Sequence, residues 1–125
     1  MTPPTAHSVP HLLVVEDQPD VRLMLVTVLR MEGYEVEQAD NAADGLRLLS
    51  SHHYDLVLTD YAMPGGTGTW MLRSAQKSGL LNATAAFVLT AHPELARDDA
   101  GRFTVVSKPI DFDAFLAQVR STLDN

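Results

Sequence analysis

The 125-residue chain reads as an α/β domain, one parallel sheet with helices on both faces. Three observations predict it. Short apolar runs and stretches of helical spacing alternate five times along the chain. The clearest runs are continuous rather than alternating, as strands covered on both faces are. Charged and hydroxyl residues stand just past the ends of those runs, the edge at which open α/β sheets bind ligands.

The elements follow in order. Met1–Pro10 carries Pro3, Pro4 and Pro10 and little large apolar surface, so residues 1–10 read as a flexible tail or a stub of linker, and 11–125 as the domain. His11–Val15 is a buried strand ending at Glu16-Asp17. Pro19 suits the first turn of a helix whose apolar residues are Val21, Met24, Leu25, Val28 and Leu29, closed by Gly33. Tyr34–Ala39 alternates around Val36, a strand of less buried type. Asp40 or Asn41 caps the next helix, with Ala42, Leu46 and Leu49 on its apolar face and Gly45 as a weak point.

Leu56–Leu58 is a third buried strand, giving out at Asp60 onto a loop that Pro64, Gly65 and Gly66 keep from becoming helix before Thr67. Thr67 or Thr69 caps a helix to about Ser78, and Gly79 ends it. Ala85–Leu89 is a fourth strand stopping at Thr90, and Pro93–Ala100 has room for at most two helical turns. Thr104–Ser107 is a fifth strand stopping at Lys108-Pro109. Asp111 caps a last helix with Phe112, Phe115, Leu116, Val119 and Leu123 on one face.

Composition narrows the function. A formal net charge of −7 argues against direct nucleic-acid binding. The absence of cysteine excludes a disulfide scaffold and a thiolate metal site, and fits a reducing, cytoplasmic setting. No basic leader or long apolar run suggests a signal peptide or membrane span. His52-His53 reads as surface and His7 and His11 as the chain's start, so no histidine metal site is expected; Trp70 is expected to be partly exposed.

Parallel strands end on one edge, so the residues past each run converge: Glu16 and Asp17, Asp60, Thr90 and Lys108. Each alone has a plain reading. The acidic pair suits a helix start, Asp60 a turn, Thr90 a helix cap, and Lys108 a solvated surface. Together they do not, because independent caps need not fall at four strand ends. Two carboxylates about 4 Å apart repel by about 4 kcal/mol at an effective dielectric near 20. Such a cluster calls for cations. Lys108 supplies one charge, and oxygen-only ligands favour Mg2+ for the rest. Thr90 and Lys108 are then free to hold phosphoryl oxygens.

At this point the chain resembles the receiver domain of a two-component response regulator, of the chemotaxis-regulator kind. The residues that carry the resemblance are Glu16-Asp17, Asp60 followed by Met63-Pro64-Gly65, Gly68, Thr90-Ala91 and Lys108-Pro109, over His11 to about Leu123. It implies a flavodoxin-like (βα)5 sheet of order 2-1-3-4-5, from which this chain is expected to depart in a shortened helix four. It implies that Asp60 accepts a phosphoryl group from a phosphohistidine on a sensor histidine kinase or a histidine phosphotransfer protein. Asp17, Asp60 and the Ala62 carbonyl would ligate Mg2+, with Glu16 acting mainly through a water. Thr90 and Lys108 would hold phosphoryl oxygens, with the Ala62 and Ala91 amides completing the cradle, and the Lys108–Pro109 bond would be cis. The output would be a conformational shift of the face around helix four, strand five and helix five toward a protein target, in a monomer or weak dimer that is not an enzyme.

Two departures stand out. The position three before the lysine, usually aromatic in that family, is Val105, with Phe103 two places off. The segment from Thr90 to Lys108 is about four residues shorter than usual. Both put the family's usual threonine–aromatic signal route in question, and Ala62 and His92 occupy positions that tune acyl-phosphate lifetime in relatives. A dehalogenase-type phosphatase would need an aspartate where Ala62 stands, and a flavin module would have its phosphate repelled by Glu16-Asp17. A receiver-fold docking module that no longer uses phosphate is the remaining alternative. The sequence ends soon after helix five, which leads us to expect either a single-domain regulator or a receiver from a larger protein.

Overall fold

The computed structural model describes residues 9–101 and 103–124. Met1–Ser8, most of the expected tail, lie outside them. Pro10 already serves the sheet, its carbonyl accepting from the Glu35 amide at 3.1 Å.

Strands β1 (His11–Val15), β2 (Glu35–Ala39), β3 (Leu56–Asp60), β4 (Ala85–Thr90) and β5 (Thr104–Ser107) alternate with helices α1 (Pro19–Met31), α2 (Ala42–Ser51), α3 (Gly68–Lys77), α4 (Pro93–Ala100) and α5 (Phe112–Asp124). The sheet is wholly parallel in the order β2-β1-β3-β4-β5. The expected order and the short fourth helix, at 8 residues, are both observed.

Strand parity sorts the core into two layers. Leu13, Val15, Val57 and Val88 point to one side, where Leu49 of α2, Met71, Leu72 and Ala75 of α3, and Ala96 of α4 cover them. Leu12, Val14, Leu56, Leu58, Phe87 and Leu89 point to the other, beneath Leu25, Val26 and Leu29 of α1 and Phe115 and Val119 of α5. Burying each Val, Leu, Met or Phe among them is worth roughly 1.5–3 kcal/mol. This explains why β1 and β3 are continuous apolar runs, whereas edge strand β2 exposes Glu35, Glu37 and Gln38 and buries only Val36 and Ala39.

The capping choices resolve to Asn41, whose Oδ1 accepts from the Asp44 amide at 2.8 Å, and Thr67, whose Oγ1 accepts from the Trp70 amide at 3.0 Å. Asp111 Oδ1 accepts from the Ala114 amide at 3.2 Å, as expected. One expectation fails. Met24 is 48% exposed, and Val26 is buried in its place. At about 100° per residue the stripe Leu25, Val26, Leu29 leaves Met24 well round toward solvent.

Gly45 has a packing reason. A Cβ there would lie 2.6 Å from Met71 Sδ and 2.9 Å from Val15 Cγ2, so the glycine lets α2 approach α3 and β1. Among the described residues no helix is long and apolar enough to cross a membrane.

Candidate functional site

The C-terminal edge of the sheet gathers the expected residues. Just past β1, Glu16 is held by its own amide, which donates to the Ala39 carbonyl of β2 at 3.0 Å. Its side chain turns inward, and the residue is 1% exposed. Oε2 accepts from the Gln18 amide at 3.2 Å. Oε1 is buried without a hydrogen bond, 3.6 Å from Lys108 Nζ.

Asp60 ends β3, and its Oδ1 accepts from Lys108 Nζ at 2.6 Å. Glu16, Asp17 and Asp60 each present an oxygen within 4.8 Å of the others. Lys108 reaches them because its amide donates to the Thr90 carbonyl at 2.8 Å, tying the ends of β5 and β4 together. The Lys108–Pro109 bond is cis, as the resemblance implied.

The loop after Asp60 folds tightly. The Gly68 amide donates to the Tyr61 carbonyl at 2.8 Å. A Cβ on Gly68 would stand 2.2 Å from the Asp60 carbonyl oxygen and 2.6 Å from Thr59 Oγ1. The start of α3 therefore lies directly against the peptide that carries Asp60, and only glycine permits it. Gly65, at φ +87°, takes the left-handed conformation this turn needs. Ala62 is exposed on the loop.

Thr90 is buried at the end of β4. Its Oγ1 accepts from the His92 amide at 2.9 Å, closing the turn before α4, and its own hydrogen is left to donate. The N-terminal cap of α4 is His92 rather than Thr90. Val105 and Phe103 are half-buried and both pack on the α2–α3 side of the core.

The electrostatics are unbalanced. Burial raises the Glu16 pKa above the usual carboxylate range. The Asp60 charge adds to this, while the Gln18 amide and Lys108 oppose it. Burial alone would pull Lys108 down, but the hydrogen bond to Asp60 and the charges of Asp60 and Glu16 override it, so its pKa is raised. Among the described residues, one firmly charged ammonium thus faces three carboxyl groups. The unbonded Glu16 Oε1, the clustered oxygens and the all-oxygen donor set fit a hard divalent cation.

Sequence reasoning missed Arg22. Its guanidinium donates through Nη1 to the Glu16 carbonyl at 2.8 Å and through Nε to Gln38 Oε1 at 3.1 Å. A lone arginine in the first turns of a helix carries no signal by itself; the link exists only once β2 is placed beside β1.

Comparison with known proteins agrees with this fold. Residues 12–120 match the model of the response regulator receiver domain. The transcriptional regulatory protein GlrR of Escherichia coli is 32% identical over 123 residues, 95% of this chain and 27% of that protein. The transcriptional regulatory protein YkoG of Bacillus subtilis is 32% identical over 117 residues, 90% of this chain and 50% of that one. The chain therefore spans half or less of these relatives' lengths. Among solved structures, the response regulator TrrA of Thermotoga maritima in complex with Mg2+-BeF superposes with a TM-score of 0.79 at 30% identity, covering 91% of this chain and 99% of that one. Fold, edge chemistry and sequence together make the chain a member of the response regulator receiver domain family.

Proposed function

We propose that Asp60 is the phosphoacceptor and that Mg2+ is held by Asp17, Asp60 and the Ala62 carbonyl, with Glu16 acting through a water. Response regulators receive phosphoryl groups from histidine kinases, and the donor here is a phosphohistidine of a sensor kinase or a histidine phosphotransfer protein, met in the cytoplasm. An Asp60 carboxylate oxygen attacks phosphorus, the P–N bond breaks, and the imidazole leaves with the electron pair and takes a proton from solvent. When bound, the metal neutralises charge on the carboxylates and phosphoryl oxygens. Lys108 contributes the fixed positive charge, following the negative charge from Asp60 to a phosphoryl oxygen, and Thr90 donates its hydroxyl hydrogen to another. This is positioning and charge neutralisation, so it needs no general base.

The observation that carries the reading is the Lys108 ammonium 2.6 Å from Asp60, set among three carboxyl groups. A docking module without phosphate chemistry would have no use for that repulsion, so this alternative is not favoured. Incubation with Mg2+ and acetyl phosphate, followed by intact mass measurement, tests it. One added phosphoryl group, absent in Asp60→Asn and in chelator, is expected. No addition to folded protein that binds Mg2+ would refute it.

A further inference from the structure

We propose that Arg22 is a positioning residue for the metal-binding carboxylates, clamping the loop that carries Glu16 and Asp17 to edge strand β2. The inference rests on the magnesium site proposed above and assigns a role to a residue outside it.

The backbone of Glu16 is held on both sides. The Glu16 amide donates to Ala39 of β2 at 3.0 Å, and the Glu16 carbonyl accepts from Arg22 Nη1 at 2.8 Å. That carbonyl belongs to the peptide plane leading into Asp17, so its orientation sets where the Asp17 carboxylate starts from. The guanidinium is fixed in turn. Arg22 Nε donates to Gln38 Oε1 at 3.1 Å, and the Arg22 amide donates to the Gln18 carbonyl at 2.9 Å. Arg22 therefore spans the loop, joining Glu16 on one side to Gln38 and the first turn of α1 on the other.

The clamp has a load. Asp17 lies within 4.8 Å of two other carboxylate oxygens, and the Lys108 contacts go to Asp60 and Glu16. Repulsion pushes the loop outward, away from the geometry a metal needs. A planar fork suits the restraint better than an ammonium, because Nε and Nη1 reach two acceptors at once. Groups that orient metal ligands typically change affinity 10–100-fold when removed.

The test uses Arg22→Ala, Arg22→Lys and Gln38→Ala in the full chain, none of which touches the carboxylates. Mg2+ affinity is measured by titration calorimetry, stability by urea unfolding in chelator, and loop order by amide exchange at Asp17 and Gln18 in chelator. Arg22→Ala should weaken Mg2+ binding about tenfold and speed exchange at those two amides more than at the core strands. Arg22→Lys should recover part of the affinity, and Gln38→Ala should lose less than Arg22→Ala. A merely structural arginine would lower the urea midpoint and leave Mg2+ affinity of the folded protein within twofold, which would overturn the inference while leaving the metal site intact. A wild-type chain that takes up no Mg2+ would defeat the metal-site reading and the positioning role with it. The exchange arm shows separately whether Arg22 orders the loop.

Discussion

Replacing Asp17 by asparagine should stabilise the metal-free protein. Asp17 shares a crevice with Glu16 and Asp60, all three oxygens lying within 4.8 Å. At that separation and an effective dielectric near 20, each like-charge pair costs about 3.5 kcal/mol. Asp17 faces two carboxylates, and the Lys108 ammonium beside them offsets part of their field. Asp17 is also half-exposed, so solvent screens the remainder, and a net relief of about 1–2 kcal/mol is expected. Urea unfolding of Asp17→Asn in chelator at low salt should therefore give a higher midpoint than wild type, and the gap should shrink as salt is added. With saturating Mg2+ the order should reverse, because wild type gains binding energy and the variant does not. A variant less stable than wild type in chelator at low salt would refute the reasoning, since it would mean the carboxylates do not repel one another in the folded chain.

Three further outcomes follow from the same geometry. Lys108→Met leaves buried Glu16 without its cation and should cost about 3 kcal/mol in chelator; much of this should return when Mg2+ is added, as urea midpoints with and without the metal would show. Gly68→Ala places a methyl 2.2 Å from the Asp60 carbonyl oxygen and should cost about 1–3 kcal/mol as an overpacked contact, with Mg2+ affinity by calorimetry falling because the Asp60 peptide has to shift. Tyr54, buried and donating to Glu37, has its pKa raised first by burial and then by that carboxylate. A raised pKa means its contribution is complete below about pH 10, the ordinary tyrosine value, and is lost as the pH climbs toward the folded value. Unfolding in chelator should show stability falling above about pH 10, more shallowly in Tyr54→Phe but not flat, because burial also raises Tyr34 and the hydrogen bond to Asp60 raises Lys108.

What was legible in the sequence is what a one-dimensional pattern can carry. Leu12–Val15 and Leu56–Leu58 are continuous because both sheet faces are covered, so the strands and the edge where they stop could be read directly. Once the strands were parallel, Glu16, Asp17, Asp60, Thr90 and Lys108 had to share an edge. Side-chain direction was harder. Met24 fits a helical period as well as Val26 does, and only the placement of α1 over Leu12 and Val14 decides between them. Gly45 and Gly68 were visible as glycines but not as contacts, because Met71, Val15 and the Asp60 carbonyl come from elsewhere in the chain. Arg22 was hidden for the same reason: its partners Glu16 and Gln38 meet only when β2 pairs with β1.

The charge imbalance at the edge is better understood as a source of affinity than as a defect. A fold that buries Glu16 and crowds Asp17 and Asp60 beside it gives up stability in the metal-free state. Whatever relieves the repulsion binds more tightly by the same free energy. A ligand at one hundred times its dissociation constant stabilises the folded state by about 2.7 kcal/mol, comparable with the relief expected from Asp17→Asn. The two quantities should therefore trade against each other. Variants that make the free protein more stable by removing a carboxylate should lose Mg2+ response, and those that only loosen the loop, such as Arg22→Ala, should lose response without gaining stability. That contrast separates charge from position as the origin of metal affinity at this site.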